Sequence, residues 1–230
     1  MTGRRRTRPP PDARTFPRNI LAGPTLDAGR ALLGAWLVRD PVAAGGERRI
    51  GRIVEVEAYI DEDDRASHAR MGPTARNRVM FGPPGIAYVY LVYGMHHCLN
   101  VVTEPAPRPA ALLIRAVEPI EGVGAMRAAR ARARMGHATM PDLRSPVPDA
   151  RLAAGPGLVA ACFSLDRGDT GADLCDPSSP LRLETRPAGE PAPEVAATPR
   201  IGIDRAGEPW TSVPWRLIVS GSPSLSRARA

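Results

Sequence analysis

Apolar and polar positions follow two different periods along the chain, and the changes of period divide it into elements. After Thr25, residues Leu26, Ala31, Leu32 and Trp36 recur at helical spacing, which predicts a helix with Thr25 as its N-cap. Four apolar and β-branched runs then read as strands, over 52–59, 86–93, 98–103 and 110–117, with Gly82-Pro83-Pro84-Gly85 as turn material between two of them. Helical spacing returns over 119–134, and a proline-bearing loop follows over 136–148. Gly155-Pro156 sets a proline in the first turn of a short apolar helix that reaches Leu165. Short strands are expected at 181–185, 200–203 and 215–219, with a proline-rich connection over 187–199. Short connections favour antiparallel neighbours, so the pattern predicts a single compact α+β domain with a mainly antiparallel sheet flanked by helices. Its expected limits are 19–224. A basic, proline-rich, disordered arm precedes it at 1–18 and a short tail follows at 225–230.

Composition narrows the setting. The 230 residues, 43% of them hydrophobic, suffice for one sizeable core. No run approaches the roughly 18–20 apolar residues of a membrane span, and the arginine-rich start is not a secretory leader. A cytoplasmic, membrane-free protein is the expectation. Cys98, Cys162 and Cys175 are scattered without a C-x-x-C pair, as reduced thiols would be. The net charge of +7 suits a polyanionic partner, although a basic soluble protein without one fits the charge equally well. All 31 basic residues are arginine.

Three segments invite chemistry. In Arg52-Ile-Val-Glu-Val-Glu-Ala-Tyr59, strict alternation puts Ile53, Glu55, Glu57 and Tyr59 on one face of a strand. This is either a solvated edge or a carboxylate held rigidly beside an aromatic platform, able to act as a general base. In Tyr88-Val-Tyr-Leu-Val-Tyr-Gly-Met-His-His-Cys-Leu-Asn100, three of the four tyrosines gather in one hairpin, with Tyr93 next to Gly94 at its tip. An ordinary cross-strand aromatic cluster and a surface for stacking and wedging between bases both fit this pattern. Adjacent His96 and His97 point to opposite faces of a strand, which argues against a metal site. Arg115 sits in the apolar run Ala110–Val117, so burial is expected, with Glu57 or Glu118 as its ion partner. The arginines Arg127, Arg130, Arg132 and Arg134 form a comb that suits phosphates or a solvated helix face alike.

These segments resemble one family. Gly51-Arg-Ile-Val-Glu-Val-Glu-Ala-Tyr59, Ala66-Ser-His-Ala-Arg70, Arg76-Asn-Arg-Val-Met-Phe-Gly82, the tyrosine hairpin, Leu112-Leu-Ile-Arg-Ala-Val-Glu-Pro119, Gly155-Pro-Gly157 and Val219-Ser-Gly-Ser-Pro223 resemble the alkyladenine (3-methyladenine) DNA glycosylases, in family order. The resemblance implies a curved antiparallel sheet and a metal-free, cofactor-free, monofunctional enzyme. Such an enzyme flips damaged purines from double-stranded DNA and hydrolyses their glycosidic bond. The damaged purines it implies are 3-methyladenine, 7-methylguanine, hypoxanthine and ethenoadenine. By motif, Glu57 resembles the general base, with Arg115 and the main-chain carbonyl of Val219 as companions on the water. Tyr59, His68 and Tyr90 resemble the sandwich around the flipped base, and Asn100 the residue that crowds the amine of guanine. Tyr93 resembles the wedge that fills the vacated space, with Met95, His96, Arg70 and Thr74 expected on the DNA side. A monomer is expected. Three other readings compete: a helix-hairpin-helix glycosylase, for which the sequence offers no hairpin glycine motif followed by a catalytic lysine or aspartate; a non-catalytic nucleic-acid binder, which the acidic Glu57 strand disfavours; and an acyl- or formyl-transferring enzyme, which rests on fold analogy alone.

Overall fold

The computed structural model describes residues 15–41, 46–92, 94–135 and 147–227, the last two of the helix ending at Met135 by backbone only. Two helices open the described chain, α1 (Arg18–Leu21) and α2 (Thr25–Leu32), followed by β1 (Trp36–Arg39) and β2 (Arg49–Ile60). The hairpin β3 (Ala87–Val92) and β4 (His96–Val102) leads into β5 (Ala110–Glu121), α3 (Val123–Met135) and α4 (Pro156–Phe163). Three short strands complete it, β6 (Leu181–Glu184), β7 (Val195–Thr198) and β8 (Arg216–Val219). They form one antiparallel sheet of eight strands in the order β3-β4-β5-β2-β1-β6, with β8 pairing β2 and β7 pairing β8.

The sheet is organised around β2 and β5. One edge of β2 is covered by β5 along its length; the other is shared between β1, opposite Arg49–Arg52, and β8, opposite Glu55–Glu57. Where the neighbours change, the β2–β5 register steps over Val54 on one strand and Arg115 on the other. Such bulges bend strands and re-aim side chains. As a result Ile53 packs in the main core with Val56 and Ala58, the opposite parity from that of a regular strand. Ile53 therefore does not share the face of Glu55 and Glu57.

The core lies between the sheet and helices α2, α3 and α4, where Leu32, Val56, Leu112, Met126 and Phe163 are fully buried. Side chains of this size each contribute about 1.5–3 kcal/mol by burial. A side-chain carbon at Gly29 would lie 2.9 Å from Leu217 Cδ1, so glycine lets α2 settle closely on the sheet.

Several boundaries differ from the expectation. Thr25 is the first helical residue rather than the cap, and its hydroxyl bonds Thr103 and Glu104. Trp36 continues the helical spacing of α2, yet Gly34 adopts φ 86° and turns the chain, so Trp36 opens β1 instead. The 187–199 connection contains β7, whereas 200–203 is not a strand. Thr15–Arg18 belong to the fold: Thr15 bridges Glu184, Phe16 is buried and Arg18 pairs with Asp173. The rest of the expected arm, and most of the 136–148 loop, lie outside the described residues. No helix among the described residues is long and apolar enough to cross a membrane.

Candidate active site

The bulged centre of β2 carries two buried carboxylates, each held by several hydrogen-bond donors. Glu57 is fully buried. Its Oε2 accepts from Tyr59 Oη at 2.9 Å and Arg115 Nη1 at 3.0 Å; its Oε1 accepts from the Ile201 amide at 2.7 Å. A carboxylate offers about four acceptor positions, so with respect to the described residues one remains on Oε1. Glu55 is equally buried and accepts from Arg115 Nε at 2.9 Å and Arg216 Nε at 2.7 Å. Ser226 adds two bonds to Glu55, from its amide and its hydroxyl, both at 2.6 Å. Burial works against the Glu55 charge, but Ser226, Arg216 and Arg115 outweigh it and hold the carboxyl below its ordinary range. Burial likewise opposes the Arg115 charge, and Glu57 and Glu55 more than restore it. The expected partner Glu57 is confirmed and is joined by Glu55, whereas Glu118 pairs with Arg52 at 3.1 Å.

Next to the carboxylates stands an aromatic group. Burial first, then Glu57 and Tyr90, push the Tyr59 hydroxyl well above its ordinary pKa, so it stays protonated as a donor to Glu57. The Arg200 guanidinium covers the Tyr59 ring at 4.8 Å and the Trp215 ring at 5.1 Å. It is held in place by a bidentate pair with Asp64 at 2.6 and 2.9 Å, and by the Ala58 carbonyl at 2.9 Å. His68 packs edge-on against Tyr90, with ring centres 4.4 Å apart, and its Nδ1 lies 3.1 Å from Tyr88 Oη. Tyr88, Met80, Ala69, Val102 and Ala111 form a small second core beneath this edge. Asn77 positions His68, since its buried amide donates to the carbonyls of His68 and Gly72 at 2.8 and 3.1 Å.

The remaining sequence-predicted residues separate into those the fold gathers here and those it does not. Asn100 is buried opposite Tyr88 and donates to the Tyr88 carbonyl at 3.0 Å. Val219 is not brought to Glu57. The residue facing Glu57 on β8 is Arg216, three positions away and so about 10 Å along the strand. The Val219 carbonyl instead accepts the Ser222 amide at 3.3 Å, and the main-chain contact to Glu57 comes from Ile201. Met95 is exposed at the hairpin turn and His96 opens β4 beside Gly157. Tyr93, between them and β3, lies outside the described residues. Arg70 is exposed, whereas the Thr74 hydroxyl donates to Asn77 Oδ1 at 2.8 Å and serves the loop. Within the arginine comb, Arg127 and Arg130 bind the carbonyls of Val147, Arg151 and Leu152, which fastens α3 to that segment. Arg132 is exposed. Burial pushes the Cys98, Cys162 and Cys175 thiols up to about 11, as suits inert packing residues.

An eight-stranded antiparallel sheet with a buried carboxylate at its bulge, held by donors on both oxygens, and a group of tyrosines and a histidine beside it has the makings of a hydrolytic site for a flat, aromatic substrate. Comparison with known proteins agrees with that class. The family model of methylpurine-DNA glycosylase (MPG) matches residues 19–223. A protein of Methanocella arvoryzae named 3-methyladenine DNA glycosylase is 48% identical over 92% of this chain and 96% of its own length. Proteins of the same name from Myxococcus xanthus and Koribacter versatilis are 45% and 44% identical, over 92% and 87% of this chain and 93% and 87% of their own lengths. The chain belongs to the methylpurine-DNA glycosylase family. It is a monofunctional DNA glycosylase for methylated purines such as 3-methyladenine, and DNA is its substrate.

Proposed function

We propose that the enzyme flips damaged purines out of duplex DNA and hydrolyses their N-glycosidic bond with a water activated by Glu57. The observation that carries this reading is the Glu57 carboxylate: buried, flanked by Tyr59 and Arg115, and left by the described residues with one acceptor position on Oε1. The flipped base stacks against Tyr59 and sits between it and the His68–Tyr90 edge, which repays part of the few kcal/mol that unpairing costs. Water held on Glu57 attacks the sugar carbon as the base departs, and the carboxylate takes the proton the water loses. Cationic purines such as 3-methyladenine and 7-methylguanine leave as neutral bases. Hypoxanthine and ethenoadenine leave as neutral bases once solvent has supplied a proton to the ring. Arg115 orients Glu57 and the water while Glu55 balances its charge. In this reading Met95 and His96 meet the duplex, as do Tyr93 and Arg70, and the enzyme acts as a monomer.

The reaction leaves an abasic site on an intact strand. A duplex carrying hypoxanthine, incubated with the enzyme, is expected to break only after alkali. Borohydride added during the reaction is expected to trap no protein on DNA, because the chain contains no lysine to form a Schiff base and arginine stays protonated. Strand cleavage before alkali, together with a trapped adduct on a denaturing gel, would rule out the water mechanism.

Asn100 limits what enters. Its buried side chain is fixed by the Tyr88 carbonyl on the strand that also carries Tyr90, and in this reading the amine of guanine is crowded against it. Asn100→Ser is expected to raise excision of undamaged guanine from a mismatch by roughly tenfold or more, within the ~1–3 kcal/mol that one steric contact supplies. Equal guanine excision by the two proteins would remove Asn100 from the gate.

A further inference from the structure

The C-terminal segment reaches into the site and closes a ring of hydrogen bonds there. Ser226 is buried, and its hydroxyl works in both directions, donating to Glu55 Oε1 at 2.6 Å and accepting from Arg115 Nη2 at 3.2 Å. Arg115 Nε returns to the same Glu55 oxygen at 2.9 Å. The ring therefore runs from Glu55 through Ser226 to Arg115 and back. It engages the Nε and Nη2 sides of the guanidinium and leaves Nη1 to Glu57. The Ser226 amide grips the other Glu55 oxygen at 2.6 Å. A hydroxyl can serve at once as donor to a carboxylate and acceptor from a guanidinium, whereas the methyl group of alanine can do neither.

The segment is itself tied down. Arg151 donates to the carbonyls of Leu225 at 2.6 Å and Pro223 at 3.2 Å. The carbonyl of Arg151 and that of its neighbour Leu152 are held in turn by Arg130 of α3. A continuous set of polar contacts thus runs from α3, through the 147–152 segment and residues 223–226, to the charge pair behind Glu57. Sequence reading sees these parts only as an arginine comb and a tail.

We propose that Ser226 is a positioning residue for hydrolysis, which locks the Glu55–Arg115 pair so that a single guanidinium nitrogen presents itself to Glu57. This rests on the reading of Glu57 as the base. Without the hydroxyl, Arg115 Nη2 loses its acceptor and Glu55 loses one donor, while Arg216 and the Ser226 amide still hold Glu55 in the fold. The guanidinium then has more than one way to divide itself between two carboxylates, and fewer encounters place Glu57 and water correctly. Misplacement of this kind lowers the chemical step more than it lowers binding.

The test uses the full chain with Ser226→Ala, Ser226→Thr and Glu57→Gln side by side, on duplexes carrying hypoxanthine. Single-turnover excision at saturating enzyme, affinity for the same duplex and thermal melting are measured for each. The expected result is a fall of about tenfold in the Ser226→Ala rate, with affinity changed by less than about twofold, and recovery of most of the rate in Ser226→Thr. A wild-type rate in Ser226→Ala, with Glu57→Gln inactive, overturns the positioning role and leaves the base intact. Parallel losses of rate, affinity and melting temperature that Ser226→Thr does not restore also overturn it, since Ser226 then serves stability alone. Full activity in Glu57→Gln overturns the reading of the base itself.

Discussion

Replacing Glu57 with glutamine is expected to lower single-turnover base release by about 10²–10⁴, the contribution typical of a general base. Glutamine keeps the size of the side chain but cannot take a proton from water at neutral pH. The substitution is tolerable in the fold because Arg115 retains Glu55 as an anionic partner at 2.9 Å. Glutamine nevertheless brings an NH₂ to one of two donor groups, either the Ile201 amide or the Tyr59–Arg115 pair. Facing a donor with a donor costs about 1–3 kcal/mol, so some loss of melting temperature accompanies the loss of chemistry. Affinity for lesion-containing duplex separates the two, and it should stay near the wild-type value. A variant that keeps more than about a tenth of the wild-type rate would mean that Glu57 is not the base.

The positions that could be assigned from sequence are those whose neighbours lie close along the chain or in one strand pattern. Strands β2, β3, β4 and β5 are long, apolar and β-branched, and their alternation or continuity identifies them directly. Glu57 and Tyr59 are two residues apart on one strand, and a motif of nine residues carries both. β1 escaped because Trp36 fits a helical period that Gly34 terminates, and β7 because it lies within a proline-rich stretch. Residues 200–203 have the alternation of a strand, yet they cross the site as a bend that delivers the Ile201 amide to Glu57. The least legible parts are the buried polar pairs. Ser226 and Glu55 are separated by 171 residues and Arg200 and Asp64 by 136, and no local pattern marks either end. Asp64 reads as one of four acidic residues in a polar turn, and Ser226 as part of a tail. Burial is what gives them meaning, and burial is a property of the assembled sheet. The resemblance that identified Glu57 also pointed to Val219, where the fold brings Ile201.

Removing the Asp64 carboxylate is expected to destabilise the protein by about 3–5 kcal/mol, the typical effect of leaving a buried charge without its partner. The side chains of Asp64 and Arg200 are both fully buried, so water cannot replace the lost anion. In Asp64→Ala the guanidinium stays between the Tyr59 and Trp215 rings with the Ala58 carbonyl as its remaining acceptor. For a chain of this length each kcal/mol moves the melting temperature by about 2–4 °C, so a fall of roughly 10 °C is expected. Excision should fall further than stability alone requires, because the pair joins two parts of the site. Asp64 Oδ1 also accepts the Ala66 amide at 3.0 Å at the start of the loop that carries His68, while Arg200 precedes Ile201 and supports the Tyr59 ring. A second variant separates the charge from the scaffold. Asp64→Ala combined with Arg200→Met removes both charges and keeps an apolar body between the rings, and such replacements are often neutral or stabilising. It should regain most of the melting temperature but not the rate of base release, since Tyr59 and Ile201 lose the group that fixes them. A melting temperature within about 3 °C of wild type in the single variant would show that the pair is more solvated than its burial implies, and would withdraw it from the architecture of the site.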